Sequence, residues 1–168
     1  MLKTGNGATL TSRLVSVFNN ERLLFMQHFT GQTSGRVLVI RLDQGDYLLE
    51  SITSACEEAG LVNGVIVSAI GTLDMCTMHM VMTTGYPPVE HFEVWDDKPL
   101  EVSAICGIIA DGVPHLHMVV SDHQYAYSGH VEPGCRVLYL AEIVIQEFAD
   151  LTFIRRANSK GINELHLK

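Results

Sequence analysis

LEVSAICGIIADGVPHLHMVVSDHQYAYSGHVEPGCRVLYLAEIVIQEF, residues 100–148, decides the fold. Leu100 to Ala110 is an apolar run of strand composition, and DGVP at 111–114 turns the chain. HLHMVVS (115–121) and the segment around YAYSGH (125–130) then read as a hairpin. CRVLYLAEIVIQEF (135–148) is a long strand for a single sheet. Three or four consecutive strands joined by short turns give a largely antiparallel arrangement.

Upstream, HFEVWD (91–96) alternates, GYPP (85–88) is a loop, and Met75 to Met82 reads as a half-exposed strand. VNGVIVSAIG (62–71) is another strand, as are VLVIRL (37–42) and RLLFMQHF (22–29). Between them lies one helix, about Tyr47 to Ala59. Leu48, Ile52, Ala55, Cys56 and Ala59 recur at three- and four-residue spacing, and Gly60 suits a left-handed cap. Downstream, LTFIRR (151–156) adds a last strand and NSKGINELHLK reads as a polar, peripheral tail. The expected fold is α+β: a twisted, mostly antiparallel sheet curling toward a barrel and packed with one main helix. The expected division is an N-terminal arm over residues 1–30, a domain over 31–150, and a C-terminal strand and tail over 151–168.

The chain has 168 residues, 47% of them hydrophobic, which is ordinary for a globular domain. Such a chain buries enough surface to fold without disulfide or metal staples. Lys and Arg number 11 against 19 Asp and Glu, a net charge of −8. This balance disfavours duplex DNA and anionic membrane surfaces as partners, because both reward basic protein faces. No apolar run has the length of a signal peptide core or a membrane span, so the expected location is cytoplasmic. Cys56, Cys76, Cys106 and Cys135 are widely spaced without a CxxC pair, and read as reduced thiols. No GxGxxG or Walker-type loop is present.

The chemistry gathers in three of the eight histidines. His115 and His117 stand at i and i+2 of a strand and share one face. His130 returns to the same sheet edge after a short loop. Three imidazoles with an open position form the ligand set of a catalytic zinc site, so His115, His117 and His130 are the candidate ligands for zinc or a similar divalent metal. Glu142, inside the apolar run VLYLAEIVI, and Arg136, on the same strand parity, are candidate substrate groups or partners of a metal-bound histidine. His28, His79, His91, His123 and His166 read as isolated structural or exposed residues.

RVLVIRLDQGDYLLESITSACEEAGLVNGVIVSAIGTL, followed by HFEVWDDKPLEVSAICGIIADGVPHLHMVVSDHQYAYSGHVEPGCRVLYLAEIVI, resembles the plants and prokaryotes conserved domain, written PPC or PCC. The shared pattern runs from the RL–GD segment through SAIG, FEV, PHLH, GH, PGC and AE–VI, over roughly residues 35–148. The resemblance implies an α+β sheet structure assembled as a homotrimer, with a fold similar to acetolactate decarboxylase, where an HxH…H set holds zinc. Plant members carry AT-hooks and bind DNA; prokaryotic members are usually stand-alone and are named for DNA binding. This chain has no RGRP hook, but it keeps the three histidines that plant members typically lose. Three functions therefore stand open: a metal-dependent lyase- or hydrolase-like activity on, or binding of, a small molecule; a DNA-binding regulator; and a trimeric scaffold. The acidic charge and the open ligand position favour the first.

Overall fold

The computed structural model describes residues 13–19, 22–28 and 35–168. The first two segments, β1 (Arg13–Asn19) and β2 (Arg22–His28), pair antiparallel with Asn19 opposite Arg22. Part of the segment expected to be an arm is thus a strand. Residues 1–12, 20, 21, 29 and 30, from that same expectation, lie outside the described residues.

The main sheet is built from β3 (Val37–Asp43), β4 (Gly64–Val81), β5 (Glu90–Ala110), β6 (Val113–Ser121), β7 (Ala126–Val131) and β8 (Arg136–Glu147). Its order is β3–β8–β4–β5–β6–β7, with every pair antiparallel. The far end of β4 also pairs with β7, through Met78 opposite Val131 and His79 opposite His130. The sheet therefore closes on itself through β4, β5, β6 and β7, while β3 and β8 extend outside the ring. It is a partly ring-closed sheet, not a barrel.

Two pairs of segments read as separate strands each form a single element. The segments expected over 62–71 and 75–82 merge in the 18-residue β4, which starts at Gly64 and ends at Val81, and residues 91–96 and 100–110 fall within the 21-residue β5. Their mutual register slips between Leu73 and Met75. Such an irregularity bends paired strands and raises their twist, which lets two long strands serve both the open sheet and the ring.

The β5–β6 turn is Asp111-Gly112, with φ of 53° and 79°. Positive φ at both central positions matches the right-handed twist of a two-residue hairpin, and an Asp-Gly pair meets that demand. The turn fixes Ala110 opposite Val113, and hence Ile108 opposite His115 and Cys106 opposite His117.

The helix, α1 (Leu48–Ala59), ends at Gly60 with φ 62° and ψ 31°. The Gly60 and Leu61 N–H groups donate to the carbonyls of Glu57 and Cys56, satisfying groups the helix leaves open. Leu48, Ile52 and Cys56 are fully buried and share one helical stripe. They join Leu73, Ile109, Leu116, Met118, Val137, Ile143 and Ile145 in a single core. Burying one such Leu or Ile side chain contributes roughly 1.5–3 kcal/mol.

The C-terminal segment forms a hairpin of β9 (Phe153–Ala157) and β10 (Asn163–Leu167), with Leu165 opposite Arg155. The tail expected to be peripheral is therefore paired structure. Buried Asn63 anchors it: Oδ1 accepts the Phe153 N–H at 2.8 Å. No helix among the described residues is long and apolar enough to cross a membrane.

Candidate functional site

Direct cross-strand partners carry their side chains on the same face. Cys106 on β5 faces His117 on β6, His117 faces His130 on β7, and His130 faces His79 on β4. His79 in turn faces Phe92 on the first half of β5. This row runs around the closed part of the sheet. His115 joins it from two residues before His117. Neighbouring residues of alternate parity, Met78, Leu116, Met118 and Val131, are buried in the core.

Gly129 permits the closure. A Cβ on Gly129 would stand 2.7 Å from the His79 carbonyl oxygen and 3.2 Å from Met78 Cβ. Only a residue without a side chain lets β7 approach β4 this closely.

The histidine rings gather at the floor of a cavity of about 850 Å³. Ring centroids are 5.4 Å apart for His115 and His117, 4.8 Å for His115 and His130, and 5.4 Å for His117 and His130. For a tetrahedral ion with metal–nitrogen bonds of about 2.0–2.1 Å, two ligating imidazoles have centroids about 5.2 Å apart. The observed spacing fits that arrangement.

A second grouping shares His130. His79 stacks on His130 with centroids 4.5 Å apart, a ring that the sequence reading had set aside as isolated. Glu132 Oε1 lies 2.6 Å from His79 Nδ1 and 3.1 Å from His130 Nδ1. The donor atoms of His79, His130 and Glu132 fall within 4.8 Å of one another, close enough to hold a metal ion. Among the described residues this is the group that meets that spacing; the donor atoms of His115, His117 and His130 do not, although their rings surround one centre. Glu132 engages His130 through Nδ1, which leaves Nε2 as the other ring nitrogen. A carboxylate that binds the far nitrogen of a ligating histidine sets its tautomer and orientation.

His115 is held neutral, its pKa pushed down to about 4, first by burial and then by the positive charge of Arg155. Burial and the neighbouring His130 and His79 also lower that of His117. Neutral imidazole is the ligating form, so both rings are available to a metal at neutral pH.

The other two candidates from the sequence lie elsewhere. Arg136 donates from Nε and Nη2 to the two carboxylate oxygens of Asp74, at 2.8 and 3.0 Å. Glu142 is exposed on β8, opposite Arg41 on β3 and Ile70 on β4. Neither lines the histidine cavity. Strand parity placed them correctly on one strand, but the cavity is formed by other strands. Glu132 carried a sequence signal that went unused, since it stands two residues after His130 on the same parity. Exposed His91 pairs with half-buried Glu93 at 3.0 Å, and His28 lies outside the residues whose side chains are described. All four cysteines are free; Cys56, Cys76 and Cys135 are buried and Cys106 is exposed.

The model of the Plants and Prokaryotes Conserved (PCC) domain matches residues 29–149. The chain belongs to the PCC family. Among solved structures, this PCC chain is similar to a hypothetical protein from Salmonella cholerae-suis, with TM-score 0.71 and 26% identity, covering 82% of this chain and 96% of that one. It shares the fold of the metal-containing protein AF0104 from Archaeoglobus fulgidus, with TM-score 0.69 and 22% identity over 83% and 98% of the two chains. The same holds for a protein from Bacteroides thetaiotaomicron described provisionally as DNA-binding, with TM-score 0.69 and 19% identity over 82% and 96%. A curated relative, the bifunctional protein GlmU of Synechococcus sp. (strain JA-3-3Ab), is 30% identical over 136 residues, 79% of this chain. The PCC chain spans about a fifth of the length of the GlmU proteins it matches, 20% and 21%.

Proposed function

We propose that this PCC domain is a metal-binding protein that acts on, or binds, a small molecule, with zinc or a similar divalent ion held by His115, His117 and His130. The observation that carries this reading is the trio of rings at 4.8–5.4 Å over a cavity of about 850 Å³. Structural zinc sites are closed by four protein ligands, whereas three imidazoles leave a position for a ligand. Glu132 orients His130 and His79, and the lowered proton affinity of His115 and His117 keeps them in the ligating form. A bound ion would supply Lewis acidity to a substrate oxygen or water, in keeping with a lyase- or hydrolase-like reaction. The description of the Archaeoglobus protein as metal-containing accords with the reading. Metal analysis of the purified wild type against His117→Ala tests it. A stoichiometric ion lost in the variant supports it, and equal metal in both contradicts it.

The active form in this reading is a homotrimer. Val37, Val39, Val67, Ile70, Tyr139 and Leu140, on β3, β4 and β8, are all at least 46% exposed. Clustered exposed apolar residues of this kind mark interaction surfaces. Light scattering at micromolar concentration would report three chains, and a monomer would contradict the assembly.

DNA binding is the second reading, favoured by the description of the Bacteroides protein. The net charge of −8 weighs against it. Sub-micromolar, sequence-dependent binding in a mobility-shift titration at about 0.15 M salt would put it first.

A further inference from the structure

Two distant segments of the chain line the histidine cavity away from the rings. Thr83, Thr84, Gly85, Tyr86 and Pro88 come from the loop between β4 and β5, and Ile162 from the turn between β9 and β10. Tyr86 is 61% exposed, which puts it at the mouth. The two segments meet where Lys160 Nζ stands 4.2 Å from the centroid of the Tyr86 ring. A cation over an aromatic face is attracted by the ring quadrupole. Lys98 and Lys168 pair with Asp122 and Asp111, whereas Lys160 has no carboxylate partner among the described residues.

The two sides of this contact are built differently. The β9–β10 turn is tied from within. Asn158 Oδ1 accepts the N–H groups of Lys160 and Ile162 at 2.8 and 3.0 Å, and Asn158 Nδ2 donates to Glu164 at 2.7 Å. Asn63 and the Lys168–Asp111 pair hold the hairpin to the sheet. The β4–β5 loop is tied at its base, where the Met82 N–H donates to the Val89 carbonyl and the Val89 N–H to Thr83 Oγ1. Among the described residues, nothing hydrogen-bonds to the backbone of residues 84–88. A Cβ on Gly85 would meet no atom within 4 Å. Segments with few backbone hydrogen bonds and little packing open at low cost, and such segments serve as lids.

We propose that residues 84–88 form a gate over the histidine cavity, and that Lys160, presented by the rigid β9–β10 turn, is its latch on Tyr86. The proposal rests on reading the cavity as a small-molecule site and names how entry to it is controlled. With the latch closed, small solutes pass and bulky ones wait for the loop to swing out. An exposed cation–π contact is weak, so its loss raises the open population about two- to fivefold. A latch of that strength holds the loop without trapping a ligand.

Cys106 is a built-in reporter. It lines the cavity and is exposed, whereas Cys56, Cys76 and Cys135 are buried. Its labelling by N-ethylmaleimide and by the bulky, uncharged N-(1-pyrenyl)maleimide is followed at one pH in chelator-treated full-length protein, with peptide mapping to assign the label. Failure of the metal reading leaves this test intact. The ratio of the pyrenyl rate to the ethyl rate should rise about two- to fivefold in Tyr86→Leu and in Lys160→Met. The double variant should be no faster than the faster single one, because both remove the same contact. Lys160→Arg should keep the wild-type ratio, and Tyr86→Trp should lower it, since indole is the better cation acceptor. Circular dichroism confirms that each variant is folded. Ratios unchanged in both single variants, or single effects that multiply in the double variant, overturn the latch. Equal rates for the two reagents in the wild type, or a Cys106 that neither reagent reaches in any variant, overturn the gate.

Discussion

His117 on β6 is the direct cross-strand partner of His130 on β7, and their rings meet edge-on with centroids 5.4 Å apart and an interplanar angle of 82°. The contact follows from two short turns. Asp111-Gly112 fixes the register of β5 and β6, and the return after Asp122 brings β7 against β6. Asp122 Oδ1 accepts the N–H groups of Gln124 and Tyr125, each at 2.7 Å, which holds that return.

Replacing Glu132 with Gln should weaken metal binding about 10–100-fold, because His79 and His130 lose the carboxylate that orients them. Competition against a chromogenic chelator measures the affinity, and far-ultraviolet circular dichroism should be unchanged. Undiminished affinity would remove Glu132 from the site.

Gly129→Val should lower both stability and metal content. The new side chain meets the His79 carbonyl and Met78 Cβ, so β7 must move off β4. A loss of about 1–3 kcal/mol in urea unfolding is expected. A variant with wild-type stability and metal would mean that the β4–β7 contact does not shape the site.

Much of this was legible in local sequence. The helix over 48–59 follows from its three- and four-residue periodicity, and Gly60 marks its end. His115 and His117 share a face because strand parity requires it. His79 was not legible as a member of the cluster. Its meeting with His130 spans 51 residues and depends on β7 pairing with β4 as well as β6. Nothing in local alternation tells which distant strand closes a ring. The same limit explains the breaks read into β4 and β5, where a register irregularity and positive φ at Asp97 interrupt the pattern without ending the strand. The second strand of the C-terminal hairpin, β10, was hidden for a different reason: residues 158–168 read as a polar tail, and they are anchored by contacts such as the Lys168–Asp111 pair.

Ile52→Ala should destabilise the protein by about 2–5 kcal/mol, since Ile52 is fully buried between α1 and the sheet. The denaturant midpoint should fall with little change in slope. A loss below about 1 kcal/mol would show that the helix packs less tightly than described.

Acid should release the clasp between Arg36 and Glu147. The Arg36 guanidinium, bonded to Glu147 at 2.7 and 2.8 Å, holds the carboxylate down at about 2. Because the folded value lies below the unfolded one, the contribution is fully present above the ordinary carboxylate range near 4.5. It is lost as pH falls from there toward about 2. Over that window the wild type should lose more stability than Glu147→Gln, in parallel urea titrations. Identical pH slopes would show that the pair does not contribute.

The most direct test of the metal reading is an anomalous-scattering map, collected at the zinc edge from crystals of the zinc-loaded protein. The account predicts one peak per chain at about 2.0–2.1 Å from a ring nitrogen of each of His115, His117 and His130. A peak held instead by His79, His130 and Glu132, or no peak in this cavity, would contradict it.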